Sequence, residues 1–213
     1  QEGGAKLGFF DRDGHRVADI ASCLLLAPAL NTLLSLCRAR LQSFGQPLPG
    51  LRHIVLQQNE DGGALGMVWI VEKDDAAYDR LAASFFRACP QLGYLALNIN
   101  PKATLDAVYS EHWRLLGGQG IVYWLGDLRF DLSPGSFVQV NHYQMQALYA
   151  QVLDYAALQG TETVVDLYAG VGTISLHLAR AAAQVLAVEE VAPAALDGRR
   201  NAARNGICNV EVF

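Results

Sequence analysis

One stretch, Thr163–Val191 (TVVDLYAGVGTISLHLARAAAQVLAVEEV), restricts the folds open to this chain more than any other. Val164–Leu167 is a short apolar run passing through Asp166 towards Gly170 and Gly172. Ile174–Ala183 is apolar and alanine-rich, as a helix requires, and Val185–Val188 is a second buried strand reaching Glu189. Strand, glycine turn, helix and strand make up half of a doubly wound α/β domain, whose ligands bind beyond the carboxyl ends of the strands. Glycine at the first turn lets backbone approach a ligand closely. An acid ending the second strand can accept hydrogen bonds from both hydroxyls of a ribose.

A dinucleotide fingerprint requires a third glycine after Gly170-Val171-Gly172, so that a pyrophosphate can rest on the helix N-terminus. Ser175 stands in that place. The order Asp166-x-x-x-Gly170-x-Gly172 is similar instead to the first motif of class I S-adenosylmethionine methyltransferases. A Rossmann oxidoreductase using a nicotinamide nucleotide is the competing reading, and the missing glycine argues against it.

DLYAGVGTISLHLA, preceded by SPGSFVQVNHYQMQALY, resembles the RNA uracil-5-methyltransferases of the RumA/TrmA type. The similarity continues upstream through LNINPKATLDAV to VADIASC, across nearly the whole chain. The resemblance implies S-adenosyl-L-methionine as cofactor, RNA (rRNA or tRNA) as partner, and methyl transfer to carbon 5 of uridine. It matches Gln139 to a contact with the methionine end of the cofactor. It matches Tyr168 to an aromatic lining the site and Thr173 to the polar residue after the second glycine. Glu189 becomes the ribose-binding acid, with Asp166, Gly170 and Gly172 forming the turn. The family's chemistry adds a cysteine thiolate to carbon 6 of uracil, and the resulting enolate takes the methyl group. The family's S-C-N-P nucleophile motif and D-P-x-R motif do not occur in these 213 residues. Cys208, in ICNVEV, is not read as the nucleophile. The expectation is therefore a piece of a methyltransferase that is inactive alone, the start at Gln1-Glu2 fitting an excised segment. A non-catalytic RNA-binding piece is the further alternative.

The four cysteines, Cys23, Cys37, Cys89 and Cys208, form no C-x-x-C pair, and reduced, mostly buried thiols are expected. Through the resemblance alone, Cys23 in VADIASC matches the fourth ligand of a [4Fe–4S] cluster. One cysteine cannot hold four irons, so a cluster is expected only in a longer parent with three further cysteines. Net charge is −5, which argues against a broad polyanion-binding surface and leaves RNA to local basic positions or to parts outside these 213 residues. No apolar run is long enough to span a membrane and no export leader opens the chain, so a cytoplasmic protein is expected.

Elsewhere, Lys6–Ile20 reads as a hairpin turning at Asp13-Gly14, and Pro28 opens a helix carrying Leu30, Leu33, Leu34, Cys37 and Leu41. Pro47-Leu48-Pro49-Gly50 stops it. Strands are expected at His53–Gln57, Leu65–Val71 and Gly93–Ile99. A helix capped by Asp74 or Asp75 precedes the last of them and carries Tyr78, Leu81, Phe85 and Cys89. Together these predict an α+β domain with helices on one face of an antiparallel sheet. Gly117-Gly118-Gln119-Gly120 reads as a flexible break. A hairpin follows around Gly126-Asp127, then a type II turn at Ser133-Pro134-Gly135-Ser136. Met145, Leu148, Tyr149, Val152, Leu153 and Ala156 form one core stripe of the next helix. Arg199, Arg200 and Arg204 lie on a solvated face of the helix Ala192–Asn205. The expected organisation is α/β overall: a central α+β domain over 1–132, then the first half of a class I, Rossmann-like methyltransferase sheet over 133–213. A first strand left at a sheet edge would favour self-association.

Overall fold

The computed structural model describes residues 6–14, 16–45, 48–102 and 109–213. It divides into two compact units, residues 1–121 and 122–213. The expected features at Gln1-Glu2 and Pro47, and the ATLDAV part of the upstream motif, lie outside the described residues.

The first unit begins with the hairpin β1 (Gly8–Phe10) and β2 (Val17–Asp19). The helix α1 (Pro28–Ser43) begins at its proline and buries Leu33, Leu34 and Cys37. Asp19 joins the two elements. It accepts the Leu7 N–H at 2.9 Å and two hydrogen bonds from Arg38 of α1, the shorter 2.7 Å. Strands β3 (Leu51–Gln58), β4 (Leu65–Val71), β5 (Leu92–Ile99) and β6 (Trp113–Gly118) follow, with α2 (Ala76–Ala88) between β4 and β5. Asp75 caps α2 by accepting the Ala77 N–H at 2.8 Å. The aromatic core is Trp69, Tyr78 and Phe85, in tilted and edge-on contact. Cys37 and Cys89 are both buried, and burial, with Cys89 nearby, pushes the Cys37 thiol up to about 12.

Two features differ from expectation. The sheet, in order β3-β4-β5-β6, is mixed rather than antiparallel, because β4 and β5 run parallel. A strand–helix–strand connection returns the chain in its original direction, and α2 is that connection. Both strands are accordingly buried along nearly their whole length. The glycines after Leu116 are also no flexible break: Gly117 and Gly118 end β6. A side chain on Gly117 would meet the Phe86 ring at 2.5 Å. One on Gly118, at φ +75°, would meet the Gly93 carbonyl oxygen at 1.9 Å. Close packing, not flexibility, places them there.

The second unit contains the hairpin β7 (Ile121–Leu125) and β8 (Leu128–Leu132), then α3 (His142–Ala156), β9 (Thr163–Leu167), α4 (Thr173–Ala179), β10 (Gln184–Val188), α5 (Ala192–Arg204) and β11 (Val210–Val212). The hairpin lies almost entirely on the second unit's side of the division, whereas the sequence reading places the break after it, near Leu132. Its partner there is α5, through hydrogen bonds that no local pattern announces. Strands β11-β10-β9 form a parallel sheet in that order. Leu178, Ala179, Ala182 and Val185 form its core with Val152, Leu153 and Val164 against them. Of the expected stripe on α3, Met145 and Tyr149 are buried, but Leu148 and Ala156 are exposed. On β9, Val165 and Leu167 are 56% and 62% exposed, leaving an apolar face uncovered within this unit.

Candidate functional site

The turn after β9 is tight: Gly172 N–H donates to the Ala169 carbonyl at 3.0 Å. Gly170 and Gly172 both have positive φ, +59° and +87°. Nothing lies within 4 Å of where a Gly170 side chain would project, so a ligand can approach this backbone. Tyr168 also has positive φ, +60°, and is 84% exposed. A bulky residue held in that region without burial stores strain that its packing does not repay.

Glu189 follows β10 and faces the turn. Its carboxylate accepts the Gly170 N–H at 2.7 Å and the Val191 N–H at 2.8 Å. An ionised carboxylate has about four acceptor positions, so two such bonds fix it while leaving capacity for two ligand hydroxyls. Asp166 lies on β9 and accepts the Ser175 hydroxyl at 2.5 Å. Burial holds its carboxyl above the ordinary aspartate range, with the Ser175 bond acting the other way. Ser175, fully buried, thus has a positive role where a dinucleotide site has glycine: it orients the acid at the base of the turn. Thr173 opens α4 and accepts the Tyr149 hydroxyl at 3.0 Å. The Thr173 carbonyl lies 2.6 Å from Nδ1 of His177.

Asp166, Gly170, Gly172, Thr173 and Glu189 are therefore brought together around one turn. Gln139 lies on the segment delivered by the Ser133–Ser136 turn, whose Ser136 N–H donates to the Ser133 carbonyl at 3.0 Å with Gly135 at φ +86°. This is the expected type II geometry. Gln139 is exposed and lines a shallow hollow of about 450 Å³ with Asn141, Gln144, Met145, Ala147, Leu148 and Gln151. No hydrogen bond joins it to the glycine turn among the described residues.

A polar ladder on α5 holds these segments, and the sequence reading missed it. Asp197, Asn201 and Asn205 recur at four-residue spacing. Asn205 accepts the Arg129 N–H at 2.9 Å and donates to the Arg129 carbonyl at 2.7 Å. Asn201 accepts the Asp131 N–H at 2.8 Å. Asp197 accepts the Ser133 N–H at 2.9 Å and the hydroxyls of Ser133 and Ser136 at 2.8 and 2.9 Å. Four helical residues rise about 6.0 Å and two strand residues about 6.6 Å, so one helix face can serve alternate residues of a strand. The arginines singled out on this helix are exposed as expected, though not idle: Arg199 donates to the Val212 carbonyl and Arg204 pairs with Asp131.

Cys23 is partly exposed, and its backbone is clamped by Asn31, which accepts its N–H at 2.9 Å and donates to its carbonyl at 3.0 Å. Among the described residues, no three His, Cys, Asp or Glu side chains come together as metal ligands, so these residues do not fit an iron–sulfur cluster. No helix among them is long and apolar enough to cross a membrane. Cys208 is exposed and precedes β11, at the end of the parallel sheet opposite the glycine turn.

A parallel β-α-β sheet with an open glycine turn and an acid after its second strand is common to class I methyltransferases and dinucleotide-binding Rossmann enzymes, and Ser175 in place of the third glycine favours the first. The profile described as tRNA (Uracil-5-)-methyltransferase matches residues 126–213. An uncharacterised RNA methyltransferase of Halalkalibacterium halodurans is 33% identical over 220 residues, covering 99% of this chain and 48% of the relative. One from Bacillus cereus is 33% identical over 224 residues with the same coverage. The chain thus spans about half the length of these relatives. Among solved structures, the tRNA (uracil-54, C5)-methyltransferase of Pyrococcus abyssi, in complex with S-adenosyl-L-homocysteine, is similar in fold. The TM-score is 0.75 and the identity 21%, over 98% of this chain and 52% of that one.

Proposed function

We propose that this chain supplies the central domain and the cofactor-binding half of an enzyme that transfers a methyl group from S-adenosylmethionine to carbon 5 of uridine in RNA. The observation that carries this reading is Glu189, hydrogen-bonded to Gly170 across an open turn and retaining acceptor capacity towards it. Glu189 would take the ribose hydroxyls, Gly170 and Gly172 would admit the cofactor backbone-close, and Tyr168 would form a wall. Asp166 and Thr173, held by Ser175 and Tyr149, would present polar groups at the floor, and Gln139 would reach the methionine end. When bound, the cofactor supplies an electrophilic methyl group; the residues described here bind and orient it.

The position of Cys208, remote from the turn, supports a nucleophile outside residues 1–213. The similarity of residues 126–213 to the tRNA (Uracil-5-)-methyltransferase profile supports RNA as the substrate class and favours tRNA over rRNA. The test is calorimetric titration of the full-length protein with S-adenosylhomocysteine and with NAD, beside transfer of labelled methyl to uridine-containing RNA. Binding of the first ligand and RNA labelling are expected. Tight NAD binding with no response to S-adenosylhomocysteine overturns the reading.

A further inference from the structure

We infer that Asn201 is a positioning residue that fixes the spacing between the two cofactor-facing segments. Its side chain is fully buried. Its oxygen accepts the Asp131 N–H of β8 at 2.8 Å, while its amide nitrogen donates to the Val171 carbonyl at 3.1 Å and faces the Asp131 carbonyl at 3.4 Å. Val171 sits between the two glycines of the turn. Asp131 is two residues before Ser133, where the turn leading to Gln139 begins. One amide therefore ties the glycine turn to the strand that delivers Gln139, and Asp197, one helical turn earlier on α5, secures that delivery through Ser133 and Ser136. Neither segment can shift against the other without leaving a buried donor or acceptor unpaired, which is the costly outcome.

This inference rests on the cofactor reading above, and its experiment separates the two. Asn205 provides the internal control: it makes the same kind of bracket on β8, at Arg129, but has no bond to the glycine turn. In the full-length protein, N201A and N205A should both lower the urea unfolding midpoint. N201A should weaken S-adenosylhomocysteine binding at least tenfold and raise KM for the methyl donor more than KM for RNA. N205A should bind within threefold of wild type. N201D keeps the acceptor for Asp131 but loses the donor to Val171, so it should lose affinity as N201A does.

A folded N201D that binds within threefold overturns the inference, as does an equal loss in N205A, which marks general destabilisation. If N201A does not fold, N201D decides; if neither folds, the residue is structural and the inference fails. A wild-type protein that ignores S-adenosylhomocysteine overturns the cofactor reading itself, and this inference with it.

Discussion

Tyr168 and Glu189 are the residues at which stability and ligand binding separate most cleanly. Tyr168 holds φ +60° while 84% exposed. Glycine at that position removes a strain of about 1–2 kcal/mol and sacrifices little burial. Tyr168→Gly is therefore expected to match or exceed wild-type thermal stability while weakening S-adenosylhomocysteine binding; a stability loss would show that the ring packs in a way its exposure conceals. Glu189→Ala removes the acceptor for two backbone N–H groups and for the proposed ribose hydroxyls. Its binding, followed by calorimetry, should weaken by about 1–3 kcal/mol, the scale for hydrogen bonds to charged groups. Asp166 offers a sign test at the same site. Its folded-state pKa is raised by burial, so its contribution to stability is present in acid and lost as pH rises through that value.

At the scale of elements, glycines and helix polarity carry the less obvious information. Gly118→Ala would drive a methyl group into the Gly93 carbonyl oxygen at a backbone angle alanine resists. A loss of roughly 3 kcal/mol or more is expected by chemical denaturation, whereas a truly flexible linker would tolerate it. The β9–turn–α4–β10 unit was legible because its signals are local: apolar runs of strand length, glycines at the turn and an acid at the next strand end. The β6 strand was not, because Gly117 and Gly118 read as punctuation until Phe86 and Gly93 are known to lie against them. The parallel pairing of β4 with β5 follows from α2 once the two strands are known to be neighbours, which apolar runs alone do not reveal. The ladder on α5 was equally hidden. Asp197, Asn201 and Asn205 look like a solvated stripe unless β8 is already in place beside them. Gln139 stands apart: a resemblance singled it out, while its own surroundings show only an exposed amide beside a hollow.

For the molecule as a whole, acid should weaken both units. Hydrogen bonds from Arg38 and from Arg114 hold Asp19 and Asp79 below the ordinary aspartate range, and in residues 122–213 a hydrogen bond from Arg180 likewise holds Asp127 below it. Their contribution is complete above about pH 4, the unfolded-state value, and is lost as pH falls through the lower folded-state values. A urea midpoint that declines below that pH, less steeply in Arg114→Met, is the expected result. Residues 1–213 alone should also associate through β9, whose far edge pairs with no strand among the described residues and whose Val165 and Leu167 are exposed. Sedimentation should show dimers or larger species with no methyl transfer to RNA; a catalytically active monomer contradicts both expectations. The ladder on α5 has a further consequence during synthesis. The hydrogen bond from Asp131 to Asn201 spans 70 residues. At about 5–20 residues per second, β8 emerges from the ribosome roughly 4–14 s before its helical partner exists. Through that interval its outer edge has no internal occupant, which makes the nascent hairpin a natural client for a chaperone acting on the growing chain.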